Sequence, residues 1–213
     1  MSYYSYGGFG GFGAFPPIIK NLLIINGLVY LGQRLANEQL IIWFGLWPLA
    51  SGFQVHQLVS YSFLHGGPGH LIFNMLALWM FGAQIENTWG SRRFLIYYGV
   101  CVIGAALAQL AVTAVMGMNY PTIGASGGVF GILLAFGVLF PEQRIMLIFP
   151  PIPMKAKYFV IGYGVVELFF ATSGLQPGVA NAAHLAGMAA GFLLITYWHG
   201  GLPFGKGKSD NYY

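Results

Sequence analysis

A serine stands among glycines in the stretch IGASGGVF, residues 123–130, between two apolar runs. The small residues around Ser126 remove side-chain bulk, so a second helix or a substrate can approach its hydroxyl closely. Taken alone, the stretch favours packing between membrane helices, because serine and glycine are common at such interfaces. A catalytic interpretation therefore needs polar partners elsewhere in the chain.

Three such partners open other apolar segments: His70 and Asn74 in GHLIFN, and His184 in ANAAHLAG. The first strongly polar residue at the far end of each segment follows sixteen residues after His70, sixteen after Ser126 and fifteen after His184. At 1.5 Å per residue and a hydrocarbon core of about 30 Å, His70, Ser126 and His184 each lie about 6 Å below the outer boundary of that core. Packing alone would scatter polar residues along the helices instead of placing them at one depth.

These residue types suit acyl transfer. A serine hydroxyl becomes a good nucleophile when an adjacent base takes its proton, and histidine suits that task. We therefore predict that Ser126 is the nucleophile and His184 its base. No acidic residue lies near either in sequence, so we favour a Ser–His dyad. We interpret Glu167, the intramembrane acid of the fifth apolar segment, as structural and held by hydrogen bonds.

Attack on a carbonyl creates an oxyanion that needs hydrogen-bond donors already in place. His70 and Asn74, four residues apart, share one helix face and can supply them. The backbone amide of Ser126, near the positive end of its helix, adds a third donor.

Glycines follow both predicted catalytic residues in GxxxG patterns. Close helix contact through such positions would bring the hydroxyl within reach of the imidazole. The predicted packing set at the site is Gly124, Gly127, Phe130 and Gly131 around the serine, with Gly187 and Gly191 after the histidine.

Composition predicts the setting of this chemistry. Of 213 residues only 7% are charged and 57% are hydrophobic, and the mean hydropathy is +0.68, which indicates a polytopic membrane protein. The single cysteine, Cys101, excludes a disulfide framework and a thiolate metal site. Nucleic acid is not indicated, because the nine Lys and Arg are dispersed beside apolar segments. We find no metal, phosphate or cofactor motif, so we expect side chains and water to suffice.

Six apolar segments approach the length of about 20 residues that crosses a bilayer. Eight of the nine basic residues lie on one side of them and Arg34 lies opposite, so the positive-inside rule places both termini in the cytoplasm and the site toward the outer face. We predict an all-α, six-transmembrane-helix bundle in a bacterial inner membrane. Its segments are 17–33, 68–87, 94–116, 122–140, 157–173 and 181–199.

The predicted domain boundaries follow from these segments. Residues 1–16 form a flexible tail rich in Gly, Tyr and Phe, residues 17–199 the membrane domain, and residues 200–213 a cytoplasmic tail. The long outer loop, residues 34–67, has few charges, and Trp43 and Trp47 are expected to anchor it in the membrane interface.

Four stretches in this order resemble the rhomboid family of intramembrane serine proteases, over about residues 60–200: HGGPGHLIFN (65–74), ENTWGSRRF (86–94), GASG (124–127) and AHLAGMAAG (183–191). The resemblance implies Ser126 as nucleophile, His184 as base, and His70 with Asn74 as oxyanion donors. It also implies a six-helix core with a water-filled cavity open to the outer face. The expected partners are transmembrane protein substrates within the lipid bilayer.

Two positions qualify the resemblance. Phe130 stands where the family often has tyrosine beneath the catalytic histidine; its ring can support the imidazole, but a phenolic hydrogen bond is lost. His65 matches a family position that we interpret as bracing the outer loop.

Two other classes of function fit parts of the pattern. In a transporter or proton channel, His70, His184 and Ser126 would relay protons or bind an ion, but paired broken helices and coupling acids are not found. An inactive rhomboid-like escort would bind membrane proteins without cutting them. Its clearest mark would be loss of Ser126 or His184, and both are present.

Overall fold

A computed structural model describes residues 15–36, 38–146, 152–173, 175 and 180–200. Most of both predicted tails, 1–16 and 200–213, lies outside these residues. Helices account for most of the described chain. They are α1 Pro17–Leu35, α2 Gln39–Phe44, α3 Gln57–Ser60, α4 Pro68–Ala77, α5 Ala83–Trp89, α6 Ser91–Met116, α7 Ser126–Leu139, α8 Ala156–Ser173 and α9 Asn181–His199.

The other regular elements are short. A π-helical stretch, Leu78–Gly82, joins α4 to α5 without a break, and 3-10 turns occupy Leu49–Ser51 and Tyr61–Phe63. Strands β1, Arg144–Met146, and β2, Pro153–Lys155, pair in antiparallel register. The sequence did not predict this strand pair, because strands of three residues are too short to give a hydrophobic alternation. The mostly helical structure is consistent with the predicted all-α class.

The predicted apolar segments coincide with α1, the continuous α4–α5 region, α6, α7, α8 and α9. The fourth was predicted from residue 122, yet α7 begins at Ser126. Thr122 instead exchanges backbone hydrogen bonds with Leu46 of the outer loop, at 2.9 and 3.0 Å, and Gly124 has a φ of +128°. Residues 122–125 therefore lead into the helix without being part of it.

The exterior of the helices is apolar. By length and composition, α6 alone among the described helices is long and apolar enough to cross a bilayer, and α7 is a shorter apolar helix. Large hydrophobic side chains also face outward elsewhere, such as Leu28 of α1 at 63% exposure and Leu193 of α9 at 68%. Apolar patches of this kind are unfavourable in water and mark surfaces that contact lipid or protein.

Helix α7, which begins with Ser126, lies in the middle of the bundle. It packs against α6, α8 and α9, and residues 127–133 are buried without interruption. A helix that is apolar on every face is buried in a protein core or in a bilayer, and α7 is largely buried among its neighbours. The first residue of α7 is thereby held in place by three other helices.

Glycines let these helices approach. A methyl group at Gly187 would overlap the carbonyl oxygen of Gly127, so α7 and α9 meet backbone to backbone there. A methyl group at Gly191 would instead overlap the hydroxyl of Tyr97 on α6, and one at Gly131 the thiol of Cys101. The predicted contact between the two GxxxG patterns thus exists at their first glycines, while their second glycines admit side chains of α6.

A buried carboxylate fixes the start of α1. Glu86 of α5 accepts hydrogen bonds from the backbone N–H groups of Ile18 and Ile19, at 3.0 and 2.9 Å, and from the Ser91 hydroxyl at 2.6 Å. The first N–H groups of a helix have no partner within it. The acid of the ENTWG stretch therefore caps a neighbouring helix.

Candidate active site

Ser126 and His184 face each other between α7 and α9. The Ser126 Oγ lies 2.7 Å from Nε2 of His184, although 58 residues separate them in sequence. Ser126 is the first residue of α7 and His184 lies in the first turn of α9. Gly127 directly follows Ser126, Gly187 lies about one turn after His184, and their backbone contact holds the two helix ends at this separation. The arrangement is that of a nucleophile and an adjacent base.

The other imidazole nitrogen of His184 meets an acid. Glu167 of α8 places Oε2 3.0 Å from Nδ1, and Asn181 donates to the same oxygen through Nδ2 at 2.8 Å. Glu167 is held by hydrogen bonds, as expected from the sequence, but one of them involves the predicted base. Sequence spacing does not reveal its contact with His184, because the two residues are 17 positions apart and lie on different helices. The sequence did indicate that Glu167 has a polar partner, because a carboxylate at membrane depth without one is energetically costly.

An aromatic ring supports the face of His184. The ring of Phe130 stacks on the imidazole with centroids 4.4 Å apart and an angle of 8° between planes. Tyr163 of α8 contacts the same phenyl ring at 5.9 Å. Phe130 therefore limits rotation of the imidazole through packing, without a hydrogen bond.

His70 lies against the segment that precedes α7. Its Nδ1 accepts the backbone N–H of Gly66 at 3.3 Å, so the proton of the neutral ring is on Nε2. A Cβ at Gly124 would lie 2.9 Å from that Nε2. Gly124, predicted as a helix-packing position, lies outside the helix and instead gives the His70 ring room beside Ser126.

Asn74 lies one turn after His70 on α4 and is buried. Its Nδ2 donates to the carbonyl of His70 at 2.9 Å. An amide nitrogen carries two protons, so a second donor remains for another acceptor. His70 and Asn74 both line the cavity that contains Ser126 and His184.

His65 occupies a different position. It is 2% exposed, and its ring meets that of His70 edge to face at 5.1 Å. Its backbone N–H donates to Gln33 of α1 at 2.9 Å, and its carbonyl accepts from the same amide at 3.3 Å. Burial, with the His70 ring adding to it, lowers the pKa of His65 to about 4. These contacts join the end of the outer loop to α1.

A cavity of about 1050 Å³ connects these residues. It runs from Ser126 and His184 to Ile145 and Met146 of β1. One wall belongs to α4 and the π-helical stretch, the other to α8. The wall residues are Phe73, Ala77, Met80 and Phe81 on the first side, and Phe159 and Tyr163 on the second.

The fold is a helical bundle with an apolar exterior, which is consistent with an all-α membrane protein. Its site, with a serine and a histidine at the head of an apolar cavity, resembles that of a hydrolase. The family model described as Rhomboid domain matches residues 52–200. The chain therefore belongs to the rhomboid family, and it is an integral membrane protein. This confirms the family resemblance inferred from the four sequence stretches.

Two relatives illustrate the similarity. Rhomboid protein 1, mitochondrial, of Saccharomyces cerevisiae is 33% identical over 175 residues, which are 72% of this chain and 49% of that protein. Rhomboid protease GlpG of Yersinia pestis (strain Pestoides F) is 26% identical over 187 residues, which are 85% of this chain and 62% of that protein. The chain thus spans between about half and three fifths of the length of these two relatives. The second of these relatives is named a protease, which supports protease activity at the level of the family.

Proposed function

We propose that this protein is an intramembrane serine endopeptidase that cleaves membrane proteins within or beside their transmembrane segments. The observation that carries the proposal is the 2.7 Å contact between Ser126 Oγ and His184 Nε2 at the head of the cavity. A channel or an escort would not need a nucleophile held against a base in this way.

In the proposed reaction, Ser126 Oγ attacks the carbonyl carbon of the scissile peptide bond while its proton passes to His184 Nε2. The resulting oxyanion accepts hydrogen bonds from His70, Asn74 and the backbone N–H of Ser126. When the intermediate collapses, the leaving amine takes the proton from His184. Water then hydrolyses the acyl-enzyme, with His184 again acting as base, and releases the new carboxyl terminus.

The proposed topology follows the apolar exterior. The six regions α1, α4–α5, α6, α7, α8 and α9 cross the membrane, with both termini cytoplasmic and the site toward the outer face. The loop 34–67 lies in the interface, anchored by Trp43 and Trp47. A bacterial inner membrane is our proposed location, supported by the Yersinia relative, although a mitochondrial yeast protein is similar too.

Cleavage by the reconstituted protein tests the proposal. The purified chain is placed in liposomes with a panel of transmembrane test substrates, and mass spectrometry is used to find new termini. Cleavage within or beside the membrane segment is expected. Binding of the substrates without new termini would support the escort function, and ion or proton flux without cleavage would support transport.

We expect a graded loss of activity when an oxyanion donor is removed. Asn74→Ala and His70→Ala should each lower kcat by on the order of 10–1000-fold, because each removes one donor that acts in the transition state. Steady-state kinetics with a transmembrane test substrate measure the effect, and Asn87→Ala, on the exposed face of α5, is the matched control. An increase in KM alone would assign both residues to binding.

The walls of the cavity suggest how a substrate helix reaches the serine. Phe81 and Phe159 meet with ring centroids 6.0 Å apart, between the π-helical stretch and α8. Phe159 lines the cavity, whereas Phe169 is 56% exposed and packs on its neighbour Phe170. We propose that substrates move laterally between these two walls and unwind near the serine, which favours poor helix formers at the cut.

Phe159→Ala should therefore raise kcat/KM for a transmembrane substrate several-fold, because it removes a ring from the proposed route. Labelling by a small soluble fluorophosphonate, which does not need that route, should stay unchanged. The sequence alone placed both Phe159 and Phe169 on the route. Because Phe169 lies outside the cavity lining, Phe169→Ala is the matched control and should alter neither rate. If a disulfide that locks the α4–α5 region to α8 leaves transmembrane cleavage unchanged, the lateral route is wrong and substrates arrive from above, under the loop 34–67.

A further inference from the structure

The imidazole of His184 is held on three sides. One edge meets Ser126 through Nε2 at 2.7 Å, the opposite edge meets Glu167 through Nδ1 at 3.0 Å, and Phe130 covers one face at 4.4 Å. We infer that Glu167 is a positioning residue that keeps the proton of His184 on Nδ1, so that Nε2 is free to take the proton of Ser126. This inference rests on the proposed function and turns its dyad into a three-membered arrangement.

The chemistry of the two groups requires this proton placement. A neutral imidazole donates from one nitrogen and accepts at the other, while an ionised carboxylate only accepts. With Oε2 of Glu167 at 3.0 Å, Nδ1 must be the donor. The lone pair of Nε2 then points to the Ser126 hydroxyl. Without the carboxylate, the ring could carry its proton on Nε2, and the serine would face a donor instead of a base.

The setting of Glu167 supports a role directed at His184. The side chains of Glu167 and His184 are each 11% exposed, and the carboxylate receives a second hydrogen bond from Asn181, at the start of α9, on the same oxygen. Asn181 lies one turn before His184, so one helix supplies both donors. A buried carboxylate is costly unless hydrogen bonds satisfy it, and here both hydrogen bonds fix Oε2 in line with the imidazole edge.

Glu86, the other buried acid among the described residues, gives a contrast. Glu86 accepts from backbone N–H groups of α1 and from Ser91, which is a helix-capping arrangement remote from the cavity lining. Glu167 accepts from a side chain that itself contacts the predicted nucleophile. Removal of either carboxylate removes a buried charge, but only Glu167 is in a position to set the tautomer of His184.

The carboxylate would act in the transition state more than in substrate binding. When Ser126 attacks, its proton moves to Nε2 and the imidazole becomes positively charged, while Glu167 stays ionised and accepts from Nδ1 throughout. The negative charge at 3.0 Å stabilises the imidazolium. The expected signature is therefore a fall in kcat with KM nearly unchanged.

The test compares Glu167→Gln with the unaltered chain in detergent. The amide keeps the size of the side chain but can donate to Nδ1 and so allows the unproductive tautomer. We expect kcat for a transmembrane substrate, and the rate of labelling by a fluorophosphonate, to fall by on the order of 10²–10⁴-fold. Glu167→Asp, which keeps the charge, should recover part of both rates. Glu86→Gln is the matched control: its thermal midpoint should fall, while the labelling rate of the folded fraction stays unchanged.

A spectroscopic measurement tests the same inference without a variant at Glu167. With ¹⁵N-labelled histidine, the resonances of His184 are identified by their loss in His184→Gln. In the unaltered chain at neutral pH we expect Nδ1 to be protonated and Nε2 to be unprotonated. An Nε2–H tautomer would overturn the inference even if Glu167→Gln failed to fold.

The outcomes separate the inference from the function on which it rests. An unaltered chain that neither labels nor cleaves contradicts the proposed protease, and the inference is overturned with it. An unaltered chain that labels, with Glu167→Gln labelling at the same rate, overturns the inference alone and restores the Ser–His dyad.

Discussion

Ser126→Ala and His184→Ala are each expected to abolish proteolysis while leaving the fold intact. Loss of the hydroxyl removes the group that forms the acyl-enzyme, and loss of the imidazole removes the base that accepts its proton at 2.7 Å. Each change should lower kcat by on the order of 10⁴-fold or more. Residues that act as one unit are strongly non-additive, so the double variant should be scarcely slower than either single variant.

Fluorophosphonate labelling and cleavage of a transmembrane substrate measure this effect, and thermal unfolding verifies the fold. Two matched controls lie outside the site. Ser62 donates to the carbonyl of Val59 in a 3-10 turn, and His199 contacts the carbonyl of Ile195 at the other end of α9. Ser62→Ala and His199→Ala should both retain labelling. Purified Ser126→Ala that still cuts the substrate would contradict the proposed nucleophile.

Gly187→Ala should inactivate the protein although it adds only a methyl group. That methyl would overlap the carbonyl oxygen of Gly127, and neither backbone can move without shifting a helix of the central bundle. Separation of α7 from α9 lengthens the contact between Ser126 and His184, and a misplacement of about 1 Å can cost on the order of 100-fold in rate. Overpacking should also lower stability by about 1–3 kcal/mol.

Gly99→Ala is the matched control for this change. Gly99 lies within α6, and a methyl group there would meet open space. Because alanine favours helix by about 1 kcal/mol over glycine, this variant should unfold at the same or a higher temperature and keep its labelling rate. Equal labelling by Gly187→Ala and Gly99→Ala would show that the glycine contact does not set the distance between nucleophile and base.

Composition and local pattern determined the class of this protein. Apolar runs long enough for helices are a local property of the chain, and they predicted the positions of α1, α4–α5, α6, α8 and α9 to within a few residues. Polar residues at the same depth in three of the six predicted segments singled out Ser126, His184 and His70. The order of the four quoted stretches was enough to predict the rhomboid family, and the family match over residues 52–200 confirms that prediction.

The tertiary structure decided which side chains meet. Helices such as α7 are apolar on every face, so no periodicity tells which neighbour a given residue contacts. For this reason we could not predict that Gly191 faces α6 or that Gly124 lies beside His70. The start of α7 depended likewise on a backbone pairing with a loop distant in sequence.

The contact between Glu167 and His184 has the same origin. The sequence marked Glu167 only as an acid at membrane depth, because residues on separate helices have no fixed spacing along the chain. Packing of α8 against α9, with Asn181 directed at the same carboxylate oxygen, brings Oε2 within 3.0 Å of the imidazole. The types of the candidate catalytic groups are thus a property of the sequence, whereas the hydrogen bonds between them arise from how the helices pack.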